Sequence, residues 1–154
     1  MPQVGKGAFA LGFAGLLPAL AAACLIALGQ GWAVVIAFLY PALILSFLGG
    51  IWWGFAMRRT AGQGRLSVLA VMPSLIAAGL VLLAALATFT AGATRAIPCW
   101  SLVALGVALI LTLPVDRYLV RTGEAPANWM RLRVPLSLGL GGLTIVSAAL
   151  LSRL

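Results

Sequence analysis

Histidine is absent from the 154-residue chain, and only two residues are acidic, Asp116 and Glu124. Without histidine the chain lacks the usual ligand for haem and many metals, and the usual general base near neutral pH. Charged residues make up 8% of the sequence, and none stands in the central part of an apolar stretch. Ion pumps and proton-coupled carriers keep an ionisable group inside the membrane to partner the moving charge, so this lack speaks against that class. The two cysteines, Cys24 and Cys99, form no C-x-x-C pair and give no basis for a zinc or iron–sulfur site. No glycine-rich phosphate loop and no nucleophile with a base can be assembled. The expectation is a protein that is not an enzyme and holds no cofactor.

What is abundant is apolar: 64% of the residues are hydrophobic. A soluble domain of this length cannot hide that much apolar surface, so the composition places the chain among integral membrane proteins. Five apolar stretches can be read, at about residues 8–28, 32–57, 66–90, 97–115 and 134–152, each near the ~20 residues that cross a bilayer as a helix. Alternation with period two is missing, which argues against a β-barrel. The expected fold is a single all-α bundle of five membrane-spanning helices, with residues 1–154 forming one membrane domain.

The breaks between spans are well marked. "GQGW" (29–32) is a tight hairpin turn, "RRTAGQGR" (58–65) a polar loop, and "TAGATRAIP" (90–98) a turn that places Pro98 in the first turn of the fourth span. The longest connection runs from Pro114 to Pro135; its start is expected to continue the fourth span until "TGEAP" breaks it. Lys6 and the apolar stretch after it have the outline of a targeting segment, and "LAAAC" (20–24) that of a loose lipoprotein-processing site. Ala21 stands where a large aliphatic residue is usual, so the stretch is expected to be retained as the first span.

Charge distribution orients the bundle. Lys6, Arg58, Arg59, Arg65, Arg117, Arg121, Arg131 and Arg133 fall on one side, and only Arg95 and Arg153 on the other. Eight basic residues against two put the N-terminus in the cytoplasm and the C-terminus outside. The arginines sit at helix ends, not on one soluble face, so nucleic acid is not the expected partner. Trp32, Trp52, Trp53, Trp100 and Trp129 all fall near span ends, as expected of rings that anchor at the headgroup boundary.

Three groups of residues remain as candidate sites. Counting in fours along the second span puts Ala42, Ser46, Gly50 and Gly54 on one face, a ladder that would let another helix of this chain, a foreign helix or a lipid approach closely. On that reckoning Trp52 lies about 200° from Gly50 and faces lipid or a second partner. Asp116 is expected either to act as a gate or docking point or to form an interfacial ion pair with Arg131 or Arg133. Together with Arg117 and Arg121, those two arginines could hold cardiolipin or another anionic headgroup on the cytoplasmic side, although topology alone already calls for arginines there. Cys24 and Cys99 could bridge if the first and fourth spans are adjacent; otherwise they are buried free thiols.

"GLLP" (15–18), "YPALILSFLGGIWWG" (40–54), "MPSLIA" (72–77) and the run Asp116, Gly123, Pro126, Trp129, Leu132, Arg133 resemble the family called domain of unknown function 3429, whose animal relatives are known as transmembrane protein 69. The chain departs from it at Trp52, where relatives often carry a polar or basic residue. The resemblance implies a small protein of a bacterial or mitochondrial inner membrane and brings no catalytic residue with it. Small size, short loops and the small-residue face lead to an expected role as an accessory or assembly subunit of a larger respiratory or photosynthetic membrane complex. The alternative is a binding protein or transporter for a lipid or other apolar small molecule. A polar-lined cavity open to one leaflet would favour the transporter, and a flat apolar face buried on another polypeptide the subunit.

Overall fold

The computed structural model describes residues 4–90 and 96–153. It contains seven helices: α1 (Lys6–Ala14), α2 (Leu17–Ala27), α3 (Ala33–Met57), α4 (Gln63–Phe89), α5 (Ala96–Ile110), α6 (Leu113–Arg121) and α7 (Trp129–Leu151). They form five spans long and apolar enough to cross a membrane, with α1–α2 and α5–α6 each acting as one broken span. No strand occurs among the described residues. The expected all-α, five-span fold is the one observed. Arg95 falls outside the described residues.

Both breaks fall four residues before a proline, although Pro41 and Pro73 stand inside α3 and α4 without ending them. A proline has no N–H to donate, and its ring clashes with the carbonyl four residues earlier. Pro18 therefore ends α1 at Ala14, and Pro114 ends α5 at Ile110; each stands at the second position of the helix that follows. Two glycines with positive φ close helices in the Schellman manner. Gly29 (φ 79°) reverses the chain after α2, with Gln30 N–H bonded to the Leu25 carbonyl at 2.9 Å. Gly123 (φ 74°) does the same after α6, with Glu124 N–H on the Leu119 carbonyl at 3.0 Å.

The spans pack in chain order around a ring: α2 on α3, α3 on α4, α4 on α5, α5 on α7, and α7 back on α2. Leu45, Leu48, Leu105, Leu109 and Leu140 fill its middle. Close helix approach depends on glycines, but not on those of the counted ladder. A Cβ on Gly49 would overlap the Ala70 carbonyl oxygen of α4. Gly106 and Gly141 meet reciprocally across α5 and α7, where a Cβ on either would lie 2.6–2.7 Å from the other's carbonyl oxygen. Gly50 and Gly54 have nothing within 4 Å of a Cβ and are exposed on the outside of α3.

For a helix of this chain, the ladder expectation is thereby corrected. Steps of four residues advance about 40° per step beyond a full turn, so Gly54 has drifted well away from Ala42. The observed seam of α3 alternates steps of three and four: Ala42, Leu45, Gly49, Trp52, Ala56. Ala42 is on it, and Ser46 sits beside it with its hydroxyl 2.9 Å from that of Ser74 on α4.

The N-terminal segment and the 58–62 and 122–128 connections gather at one end of the bundle. Val4 N–H donates to Asn128 Oδ1 (2.8 Å), and Arg59 grips Glu124 through Nε (2.7 Å) and Nη2 (2.6 Å). Cys24 and Cys99 are free; α2 lies between α3 and α7 and not beside α5, so the bridge does not form. Cys24 is exposed and not buried, because Ala22, Ala23 and Ile26 occupy the inward face of α2.

Candidate functional site

At the loop-rich end of the bundle, α3, α6 and α7 converge on Asp116. Thr112 and Asp116 are four residues apart and share the inner face of the α5–α6 break. Arg133 enters from one turn inside α7, and Trp52 from the seam of α3. Arg133 Nε donates to Asp116 Oδ2 at 2.7 Å, and its Nη2 to Thr112 Oγ1 at 3.1 Å. Thr112 Oγ1 in turn donates to the Leu109 carbonyl at 2.7 Å. The other carboxylate oxygen accepts from Trp52 Nε1 (3.0 Å) and Trp129 Nε1 (3.3 Å). The side chains of Asp116 and Arg133 are 1% and 6% exposed, so this ion pair is buried.

Of the two partners expected for Asp116, the structure selects Arg133, and it makes the pair internal where an interfacial one was expected. Arg133 is consequently removed from the set of arginines available to a headgroup. Arg117, Arg121 and Arg131 are exposed. A different basic cleft, of about 930 Å³, opens among Arg58, Arg59, Arg65 and Tyr118. There the Arg59 guanidinium stacks 5.6 Å from the Tyr118 ring centroid while holding Glu124. The hydrogen bonds from Arg59 hold the Glu124 carboxyl below its usual range, against partial burial and with help from the Thr122 hydroxyl. The same bonds raise the Arg59 guanidinium above its own.

Trp52 is the clearest departure from the sequence reading. It is 4% exposed and packs with Ala56, Leu66 and Leu119, so it neither faces lipid nor anchors at an interface. The expectation measured its direction from Gly50; from Gly49, the residue at the true seam, Trp52 is only about 60° away. Trp129 is half-buried on the same cluster. Trp32, Trp53 and Trp100 are exposed.

Beside the ion pair lies a cavity of about 460 Å³ between the α1–α2 break, α3 and α7. Its origin is the Pro18 break. α1 leans on α7, where Gly12 accommodates Leu132 and Leu136, while α2 returns to pack on both α3 and α7. The wedge left between α1 and α3 is walled by Leu11, Leu16, Ile44, Phe47, Ile51 and Leu136. Its polar lining comes from Tyr40, Trp129, Arg133 and Ser137. The Tyr40 hydroxyl is engaged by the Gly15 carbonyl at the break. The Ser137 hydroxyl is buried and has no hydrogen-bond partner among the described residues. Tyr40, Thr112 and Ser137 were not singled out from sequence; the Thr112/Asp116 spacing was the available signal for one of them.

No curated protein and no solved structure matches the chain. A family model described as "protein of unknown function (DUF3429)" matches residues 4–149, nearly the whole length, and the chain belongs to that family.

Proposed function

We propose that this multi-pass protein is non-catalytic and works by binding, holding a lipid or other apolar small molecule inside its bundle. The observation that carries the reading is the cavity at the Pro18 break; it is mainly apolar where a polar-lined one was expected of a transporter, which suits holding an apolar molecule, and Ser137 and Arg133 stand at one end of it. Its volume of about 460 Å³ falls in the ~300–1,000 Å³ range of small-molecule sites. The non-catalytic reading is supported by the polar knot itself: Asp116 accepts from Arg133, Trp52 and Trp129, and is thereby committed to joining three helices. The charge asymmetry supports an inner membrane, with the loop-rich end in the cytoplasm and anionic lipid around Arg58, Arg65, Arg117, Arg121 and Arg131.

An accessory or assembly subunit of a larger respiratory or photosynthetic complex is the second reading. It is favoured by Gly50 and Gly54, which leave open space on the outer surface of α3 where a foreign helix could approach. Purification from native membranes in mild detergent separates the two. The binding reading expects a particle with the polypeptide mass of this chain and an extractable lipid in molar proportion. A second polypeptide in constant stoichiometry, with no such lipid, overturns it in favour of the subunit.

A further inference from the structure

The cavity's polar end restricts what a ligand can present there. This argument rests on the binding reading above and deepens it. Ser137 is 2% exposed, lies one turn beyond Arg133 on α7, and lines the cavity. Thr144 and Ser147 on the same helix return their hydroxyls to the carbonyls four residues back, at 2.8 and 2.9 Å. Ser137 makes no such bond, and its hydroxyl has no hydrogen-bond partner among the described residues. A buried hydroxyl without a partner is costly, and the cost is removed by an acceptor placed beside it. Arg133 borders the same space, with Nε and Nη2 already directed to Asp116 and Thr112.

Charge decides the ligand class. The guanidinium of Arg133 is matched by the Asp116 carboxylate 2.7 Å away, and among the described residues no other charged side chain lines the cavity. An anionic head would enter a low-dielectric interior as an unbalanced charge, because the guanidinium at the cavity wall is already matched by Asp116 behind it. A neutral oxygen acceptor would meet a free hydroxyl instead. Tyr40 and Trp129 have their donors committed to Gly15 and Asp116, and the rest of the wall is hydrocarbon; Leu11 and Phe47 at its rim are among the most exposed apolar side chains of their helices, so entry is from the bilayer.

We infer that the cavity between α1, α3 and α7 binds a neutral amphiphile, its carbonyl oxygen accepting from Ser137 and its apolar chain lying along α1 and α3. An acyl ester and a quinone both carry this chemistry. The test uses the purified full chain in dodecyl maltoside and follows thermal unfolding with added monoolein, decylubiquinone, oleate or dioleoylphosphatidic acid. At least one of the two neutral carbonyl compounds raises the melting temperature saturably, and which one does so identifies the source. The two anions give no comparable shift.

Ser137→Ala is the informative variant, because its hydroxyl holds no internal bond. Without ligand it melts no lower than the parent. Its affinity for the neutral compound falls about 3- to 10-fold, the loss of one neutral hydrogen bond. Ile44→Trp, which fills the wedge, abolishes the shift. Tighter binding of oleate or phosphatidic acid, or unchanged affinity in Ser137→Ala, overturns the assignment of the head group while leaving an occupied cavity. Saturable binding of none of the four overturns the binding reading itself.

Discussion

Replacing Arg133 alone should be among the most damaging single changes in this protein. Arg133→Met keeps much of the side-chain volume but leaves the Asp116 carboxylate buried with only two indole N–H groups for company. Asp116→Leu leaves the guanidinium with only the Thr112 hydroxyl and takes the acceptor away from Trp52 and Trp129. Removing one partner of a buried pair typically costs about 3–5 kcal/mol, because the survivor keeps its desolvation penalty without its counter-charge. For a chain of this length each kcal/mol corresponds to roughly 2–4 °C, so either single variant should melt about 6–20 °C below the parent. The double variant Asp116→Leu/Arg133→Met buries neither charge. It should recover most of the loss, since apolar replacement of a whole buried pair is commonly neutral or better. The assay is thermal unfolding in a single detergent, followed by tryptophan fluorescence and by aggregation, with all four proteins side by side. Single losses that simply add in the double variant would refute the pair as a coupled unit. Single variants within 2 °C of the parent would place both groups in water.

Other substitutions test the packing and the surface pair. Gly49→Ile should cost about 1–3 kcal/mol or more by overlapping the Ala70 carbonyl, whereas Gly50→Ile should melt within about 2 °C of the parent. Gly106→Val should likewise destabilise, by forcing α5 from α7 at the Gly141 carbonyl. Trp52→Phe keeps one aromatic ring but loses the pyrrole ring with its N–H to Asp116 Oδ1, and should destabilise by at least about 1–3 kcal/mol. Glu124, whose carboxyl is held low by Arg59, contributes stability that is present above the usual carboxylate pKa of about 4.3 and lost as pH falls through its lower folded value. The melting difference between the parent and Glu124→Gln should therefore persist at neutral pH and shrink below about pH 4; a difference unchanged down to pH 3 would contradict the pairing.

The spans were legible because hydrophobic length is a property of each segment alone. The end of α6 at "TGEAP" was legible as well, since Gly123 supplies the φ that the turn needs. Facing directions were not. Within a helix that is apolar on all sides, polarity does not mark the inward stripe, and glycine spacing alone puts the seam of α3 one residue off. That single shift turned Trp52 outward and hid its bond to Asp116. Pro18 was visible in the sequence, but its consequence was not: only the placement of α7 shows that the break leaves a wedge between α1 and α3. Nothing in the sequence marks Ser137, because an isolated serine in a span usually bonds its own helix, as Ser147 does.

The account rests on an amphiphile lying between α1, α3 and α7, and the most direct test maps where one touches. A neutral monoacylglycerol bearing a diazirine in its chain, photolysed in membranes containing the protein, leaves adducts that tandem mass spectrometry assigns to residues. Binding in the cavity predicts adducts concentrated on Leu16, Ile44, Leu48 and Leu136, lost in Ile44→Trp and competed by unlabelled monoolein. Adducts spread evenly over the outward-facing Leu20, Leu39, Leu75 and Leu83, with no competition, would contradict it.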